Sequence, residues 1–310
     1  MADSVIEVKD LSKTFDSEIA INSLNFCIDE GEVFGFVGPN GAGKSTTINI
    51  MLGFQHPTEG SVEIFDKNIR DSPLKVKSRI GVVPEDYNLY DGRTGLEHLG
   101  LSARLKQEDV NKNEIAEMVG LTEDEVKRDV SGYSTGMKQR LVLGMALIGD
   151  PDILILDEPG SGLDPNGILK LQEIIREQSE KGTSVFFSSH ILSNIEAVCD
   201  KIGVLNKGEI EFTGDIDELR KETEQTKEMI VRYEGDKPSD IDLNEKSEVS
   251  EANIHNNKEI HIRYEQQMYV ESILDELLQS DVKIKSIKTN QQSLSELFGE
   301  ITSRTKGDKQ

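Results

Sequence analysis

The run Val33-Phe34-Gly35-Phe36-Val37-Gly38-Pro39-Asn40-Gly41-Ala42-Gly43-Lys44-Ser45-Thr46 decides the fold. Its first five residues are an unbroken apolar stretch, the pattern of a strand buried on both faces in a parallel sheet. The residues after it carry G-x-x-x-x-G-K-S, Gly38 to Ser45, and an apolar-periodic stretch then continues to Leu52. Strand, glycine-rich loop and helix, in that order, let a backbone curl around phosphate. Glycines allow successive N–H groups to converge on the β- and γ-phosphates of a nucleotide, and the helix adds its positive N-terminal end. Lys44 is expected to bridge those phosphates, and Ser45 to ligate Mg2+. The sequence therefore predicts an α/β fold in which Gly38, Pro39, Asn40, Gly41, Ala42, Gly43, Lys44, Ser45 and Thr46 cradle a nucleoside triphosphate.

Outward from this loop, Ile153-Leu154-Ile155-Leu156-Asp157-Glu158 is a second buried strand that ends in two carboxylates. Such a strand delivers them to the C-terminal edge of the sheet, where α/β proteins bind ligands. Asp157 is expected to hold Mg2+ through water, and Glu158 to polarise an attacking water as general base. Further strands are predicted at 5–8, 61–65, 80–83, 184–188 and 202–205, with a helix-rich region over 94–149. After about Glu222 the composition turns polar. Strands at 229–233, 259–264 and 282–287, an amphipathic helix on Val270, Ile273, Leu274, Leu277 and Leu278, and a last helix on Leu294, Leu297, Phe298 and Ile301 then make a small α+β appendage.

Bulk composition narrows the function. Apolar residues at 35% and charged residues at 30% fit a chain with a packed core and argue against disorder. The apolar runs are strand-sized, well short of the roughly 20 residues a membrane helix needs, and the acidic, mixed first ten residues are expected to carry no signal peptide. A formal net charge of −23 disfavours nucleic acid as a partner. It leaves ATP open, because backbone N–H groups, one lysine and Mg2+ grip a nucleotide locally. Cys27 and Cys199 form no ligand or redox motif and are expected to be reduced core thiols of a cytoplasmic protein.

The order of these motifs resembles the ATP-binding subunits of ABC transporters. The closer likeness is to the subgroup of drug and antibiotic exporters, sodium exporters and ATPases that serve copper-site assembly in nitrous oxide reductase. It runs continuously from about Ile6 to Arg220 and more loosely to the C-terminus. The resemblance implies a P-loop ABC ATPase fold with a mixed core sheet, an N-terminal antiparallel β subdomain and a helical subdomain at about 86–150, within an ATPase domain of residues 1–222. Residues 223–310 are the appendage, whose role stays open between dimer support, regulation and a plain addition.

The resemblance also assigns residues. Phe15 in Lys13-Thr14-Phe15 matches the aromatic that stacks on adenine. Tyr133-Ser134-Thr135-Gly136-Met137 matches the family signature with Thr135 and Met137 departing from its commonest form. Ser134 caps the following helix there, and the helix end with Gly136 addresses ATP held by a partner subunit. Gly162-Leu163-Asp164-Pro165 matches the subunit-contacting loop, and His190 matches the histidine that senses γ-phosphate. Gly160 stands where threonine is common, and Glu85 stands where glutamine is usual. A glutamate at 85 still offers an oxygen to Mg2+ but adds charge beside the γ-phosphate, which predicts altered metal dependence. The implied protein is an ATP hydrolase, peripheral on the inner face of the cell membrane. It closes with itself or a paralogous ATPase subunit over two ATP molecules, and it powers a separate membrane permease. A DNA-repair or translation factor of the same superfamily, or a regulatory ATP-binding module, remains as the alternative. A single cassette, the absence of a long heptad run or cysteine clusters, and the acidic charge disfavour the first; Glu158 and His190 disfavour the second.

Overall fold

In the computed structural model, which describes residues 4–71, 73–223, 227–234, 249–255, 258–264, 274 and 283–290, Ser4–Phe15 (β1) and Glu18–Asp29 (β2) form a long antiparallel hairpin. The sequence shows only the first part of β1, because bulges break the period-two pattern on both strands. Asp10 and Ser23 adopt φ of 46° and 49°, and the register shifts between Val8 and Leu11. In β2 the inward positions are Ile21, Leu24, Phe26 and Ile28, an interval of three followed by two intervals of two. That spacing also corrects the expectation for Cys27. Phe26 and Ile28 take the buried phase, so Cys27 between them is exposed.

Val33–Val37 (β3) leads through the loop to Lys44–Met51 (α1), and then come Glu59–Ile64 (β4) and Lys67–Asn68 (β5). β4 and β5 complete a four-stranded antiparallel sheet in the order β2-β1-β4-β5. Pro73–Lys77 (α2) and Ile80–Val83 (β6) follow, then the helices Gly95–Lys106 (α3), Lys112–Met118 (α4), Glu123–Val126 (α5) and Thr135–Leu147 (α6). Side chains set these helix starts. Thr94 and Glu97 form a capping box on α3, and Thr122 and Glu125 form another on α5.

Ile153–Asp157 (β7), Pro165–Glu180 (α7), Ser184–Ser189 (β8), Leu192–Glu196 (α8), Lys201–Asn206 (β9) and Glu209–Asp215 (β10) complete the second sheet. Its order is β10-β9-β3-β8-β7-β6, parallel throughout except for β10. Every residue of β3, β7 and β8 is buried, the burial that a strand covered on both faces requires. Phe26 of the hairpin packs on Phe34 and Phe36 of β3, with ring centroids 5.3 and 5.6 Å apart. These rings pin the antiparallel sheet to the central one, each pair contributing about 0.5–1.5 kcal/mol beyond area burial.

The chain divides into two compact units, Met1–Ile216 and Asp217–Gln310. Ile216–Thr223 (α9) spans the junction. In the second unit Lys227–Glu234 (β11), Val249–His255 (β12), Glu259–Tyr264 (β13) and Lys283–Asn290 (β14) form an antiparallel sheet in the order β12-β13-β11-β14. Met229, Val231 and Tyr233 alternate onto its buried side with Ile260, Ile262 and Tyr264. Apart from Leu274, the two helices expected near the C-terminus lie outside the described residues. Among the described residues no helix is long and apolar enough to cross a membrane.

Candidate functional site

The loop between β3 and α1 opens into a cleft of about 1080 Å3, its mouth included. Pro39, Asn40, Gly41, Gly43, Lys44, Ser45 and Thr46 line it, together with Glu85 and Glu158. Backbone geometry explains the glycine at 43. Its φ is 111°, and a Cβ there would lie 2.5 Å from Ile21 Cγ2 and 2.8 Å from the Ala20 carbonyl oxygen. The loop is thus pressed against β2, and the first residues of α1, Lys44, Ser45 and Thr46, line the cleft. Ala42 is buried under it, its N–H bonded to the Pro39 carbonyl at 3.1 Å.

Lys44 is buried at the base of the cleft. Its Nζ donates to the Gly38 carbonyl oxygen at 2.7 Å and lies 3.2 Å from Glu158 Oε1. Glu158 is itself buried and has φ of 48°, the left-handed region that a glutamate rarely occupies. The turn aims the carboxylate back across the sheet edge instead of on along the strand. Its Oε2 lies 2.7 Å from His190 Nδ1, a distance that fits the ring N–H donating to the carboxylate. Lys44, Glu158 and His190 therefore form one connected line, drawn from β3–α1, β7 and the end of β8.

Ser188 fixes the geometry of that line. Parallel pairing of β7 with β8 sets Asp157 opposite Ser188. The Ser188 hydroxyl donates to Asp157 Oδ1 at 2.5 Å and accepts from the Glu158 N–H at 2.9 Å. Burial pushes the Asp157 carboxyl up, the Ser188 bond opposes this, and the Glu158 charge adds to it. The Ser45 hydroxyl also holds the Asp157 carboxyl down. Glu85 is exposed at the cleft edge, and its carboxyl is raised by burial, then by the charges of Asp157 and Glu158, with Lys44 opposing. Hydroxyl and carboxylate oxygens at Ser45, Asp157 and Glu85 are the donors a hard cation takes. Among the described residues no group of three or more His, Cys, Asp and Glu could hold a metal alone. These donors fit Mg2+, which would take its remaining oxygens from nucleotide and water.

Of the residues expected at the site, Gly38, Ala42 and Asp157 do not line the cleft, and neither, within one chain, do Phe15, His190, Ser134 and Gly136. Phe15 is exposed at the end of β1, directly opposite Glu18, with Lys13 Nζ 4.8 Å from its ring centre. Glu18 does line the cleft, so Phe15 stands beside its mouth. His190 reaches the site only through Glu158. Ser134 caps α6 by accepting from the Met137 N–H at 3.3 Å, and Gly136 packs near Leu163. Those two are brought to the loop that follows Glu158, not to the phosphate loop.

Sequence reasoning missed Ser188, the cleft wall formed by Glu18, Ile19 and Ala20, and Lys207. A signal for Ser188 was present in Ser188-Ser189, two hydroxyls ending an apolar strand beside a strand that ends in carboxylates. The wall residues carried none, since they belong to the unrecognised β2.

Residues 21–161 match the family model described as ABC transporter, and residues 214–302 match that of the ATP-binding protein DrrA1-3-like, C-terminal domain. The uncharacterized ABC transporter ATP-binding protein YhcH of Bacillus subtilis (strain 168) is 36% identical over 312 residues, covering 99% of each chain. The bacitracin transport ATP-binding protein BcrA of Enterococcus faecalis is 38% identical over 232 residues, covering 73% of this chain and 74% of its own. Among solved structures, the dimeric post-hydrolysis state of the ATP-binding cassette MJ0796 bound to ADP and Pi superposes with a TM-score of 0.64. It is 27% identical and covers 68% of this chain and 98% of its own. Together with the cleft geometry, these matches establish that the chain belongs to the ATP-binding, ATP-hydrolysing proteins of ABC transporters.

Proposed function

We propose that the chain hydrolyses ATP in a site shared between two cassettes and so drives a separate membrane permease, as an exporter. The observation that carries the reading is the continuous line from Lys44 through Glu158 to His190 at the floor of a glycine-rich phosphate cleft. In this reading the loop N–H groups and Lys44 hold the β- and γ-phosphates. Glu158 takes a proton from the water that attacks the γ-phosphorus, while the bond to the bridging oxygen breaks and ADP leaves with that oxygen. His190 orients Glu158 through the ring hydrogen bond. Ser45, Asp157 and Glu85 would hold Mg2+, which supplies charge neutralisation on the phosphate oxygens.

One chain leaves the γ-phosphate side of its cleft open, and Ser134 with Gly136 lies elsewhere on its surface. The dimeric form of the MJ0796 cassette supports two chains closing so that each lends its Ser134–Gly136 segment to the other's nucleotide. Two identical chains and a pair of paralogues satisfy this equally. Residues 1–222 serve as the ATPase domain and 223–310 as the appendage, a division supported by the change in composition after about Glu222. The permease seat is the groove lined by Tyr90, Arg93, Glu97, His98 and Leu101 on the helical region. That groove follows Glu85 closely in sequence, so nucleotide state and docking surface share one segment. Docking there holds the chain against the inner face of the membrane.

The test is ATP turnover with Mg2+ by the wild type and by Glu158→Gln. Turnover in the wild type, cut by about 10²–10⁴-fold in the variant while ATP binding persists, is the expected result. Equal turnover in both would overturn the assignment of Glu158.

A further inference from the structure

We infer that Lys207 is a second phosphate-binding lysine of the cleft and that it takes the α-phosphate of the nucleotide. The inference rests on the reading of the cleft as an ATP site. Lys207 lines the same cleft as Lys44, from the turn between β9 and β10. That turn is seated at the seam between the hairpin and the phosphate loop. The Gly208 N–H donates to the Ala42 carbonyl oxygen at 2.9 Å, and the Asn22 N–H donates to the Gly208 carbonyl oxygen at 2.7 Å. A Cβ at Gly208, whose φ is 83°, would lie 2.7 Å from the Ala20 carbonyl oxygen. Lys207 itself has φ of 49°, so both residues of the turn hold an uncommon left-handed backbone.

Charge makes this position consequential. The cleft is lined by Glu18, Glu85 and Glu158 against Lys44 and Lys207, in a chain of net charge −23. Lys44 is already engaged by Glu158 and the Gly38 carbonyl. Lys207 has no ion pair among the described residues, so it is the cation in the cleft still free to meet an arriving polyanion. A nucleoside triphosphate laid from the hairpin, where the base sits, to the loop, where the β- and γ-phosphates sit, crosses the seam at its α-phosphate. A flexible ammonium on a rigid turn there contributes a charge-assisted contact to every nucleotide that carries an α-phosphate. It acts on ground state and transition state alike, so it sets affinity and leaves the chemical step alone.

The experiment measures equilibrium binding of ATP and ADP, steady-state turnover and thermal unfolding for the wild type, Lys207→Gln and Lys207→Arg. In Lys207→Gln, ATP and ADP binding should both weaken roughly tenfold, KM should rise in step with kcat unchanged, and the unfolding midpoint should not move. Lys207→Arg should recover most of the affinity. Unchanged binding in Lys207→Gln would overturn the inference and leave Lys207 a solvated turn residue. Weakened ATP with unchanged ADP would overturn it by placing the lysine at the γ-phosphate, and so would a fall in kcat at constant KM. Lys44→Ala is run alongside. A wild type that binds neither nucleotide, with Lys44→Ala no different, would remove the ATP-site reading itself and the Lys207 role with it.

Discussion

Gly43 and Gly41 sit in the same loop, both at positive φ, yet their surroundings differ. A Cβ at Gly43 would strike Ile21 and Ala20, whereas one at Gly41 would meet nothing within 4 Å. Gly43→Ala is therefore expected to lower the unfolding free energy by about 1–3 kcal/mol and to abolish nucleotide binding. Gly41→Ala should cost only the backbone term, about 1 kcal/mol. Chemical denaturation of the two variants checks the contrast, and equal losses would mean that the close approach to β2 does not matter. The two thiols offer a second check. Cys27 is exposed, while Cys199 has its thiol pushed well up by burial beneath Gly35. A disulfide reagent should label one cysteine in the folded chain and a second only after unfolding. The sequence showed Lys44, Asp157 and Glu158 because each closes a patterned segment. It could not show the left-handed turn at Glu158 or the hydroxyl of Ser188, since both depend on which strand lies alongside β7.

Among the elements, α6 carries two duties in one residue. The Ser134 hydroxyl caps the helix, and in the proposed dimer the same helix end meets the neighbour's nucleotide. Ser134→Ala should cost about 1 kcal/mol of stability, and Ser134→Gly only a few tenths. If capping were the whole role, turnover would follow stability and return in the glycine variant. A glycine variant that is stable yet slow separates the two duties, and that is the expected outcome. The buried strands β3 and β7 were legible as apolar runs, and β8 as a shorter one, Val185 to Phe187, between serines. β2 was not, because a bulge at Ser23 moves its inward residues out of strict alternation. The lost strand took with it the cleft wall at Glu18, Ile19 and Ala20.

At the scale of the whole molecule, a proposed closed dimer of two identical chains would carry a net charge of −23 on each copy. Repulsion between copies is long-ranged at low ionic strength, where the Debye length is about 30 Å at 0.01 M against about 8 Å at 0.15 M. Dimers of Glu158→Gln formed with ATP should tighten as KCl rises across that range, read by sedimentation velocity. Weakening instead would place attractive charge pairs at the interface. The sheet order has a consequence for how the molecule is made. The strand that presents the phosphate loop is central, its Val33 paired with Val185 on one side and its Phe34 with Lys201 on the other. Both neighbours are translated long after the loop itself, so a chain emerging from the ribosome carries β3 with two bare edges and a lysine that has not met its glutamate. Nucleotide affinity must then appear late and all at once, when β8 and β9 close around β3. Until that moment the nascent chain is an unpaired apolar strand that other strands can capture.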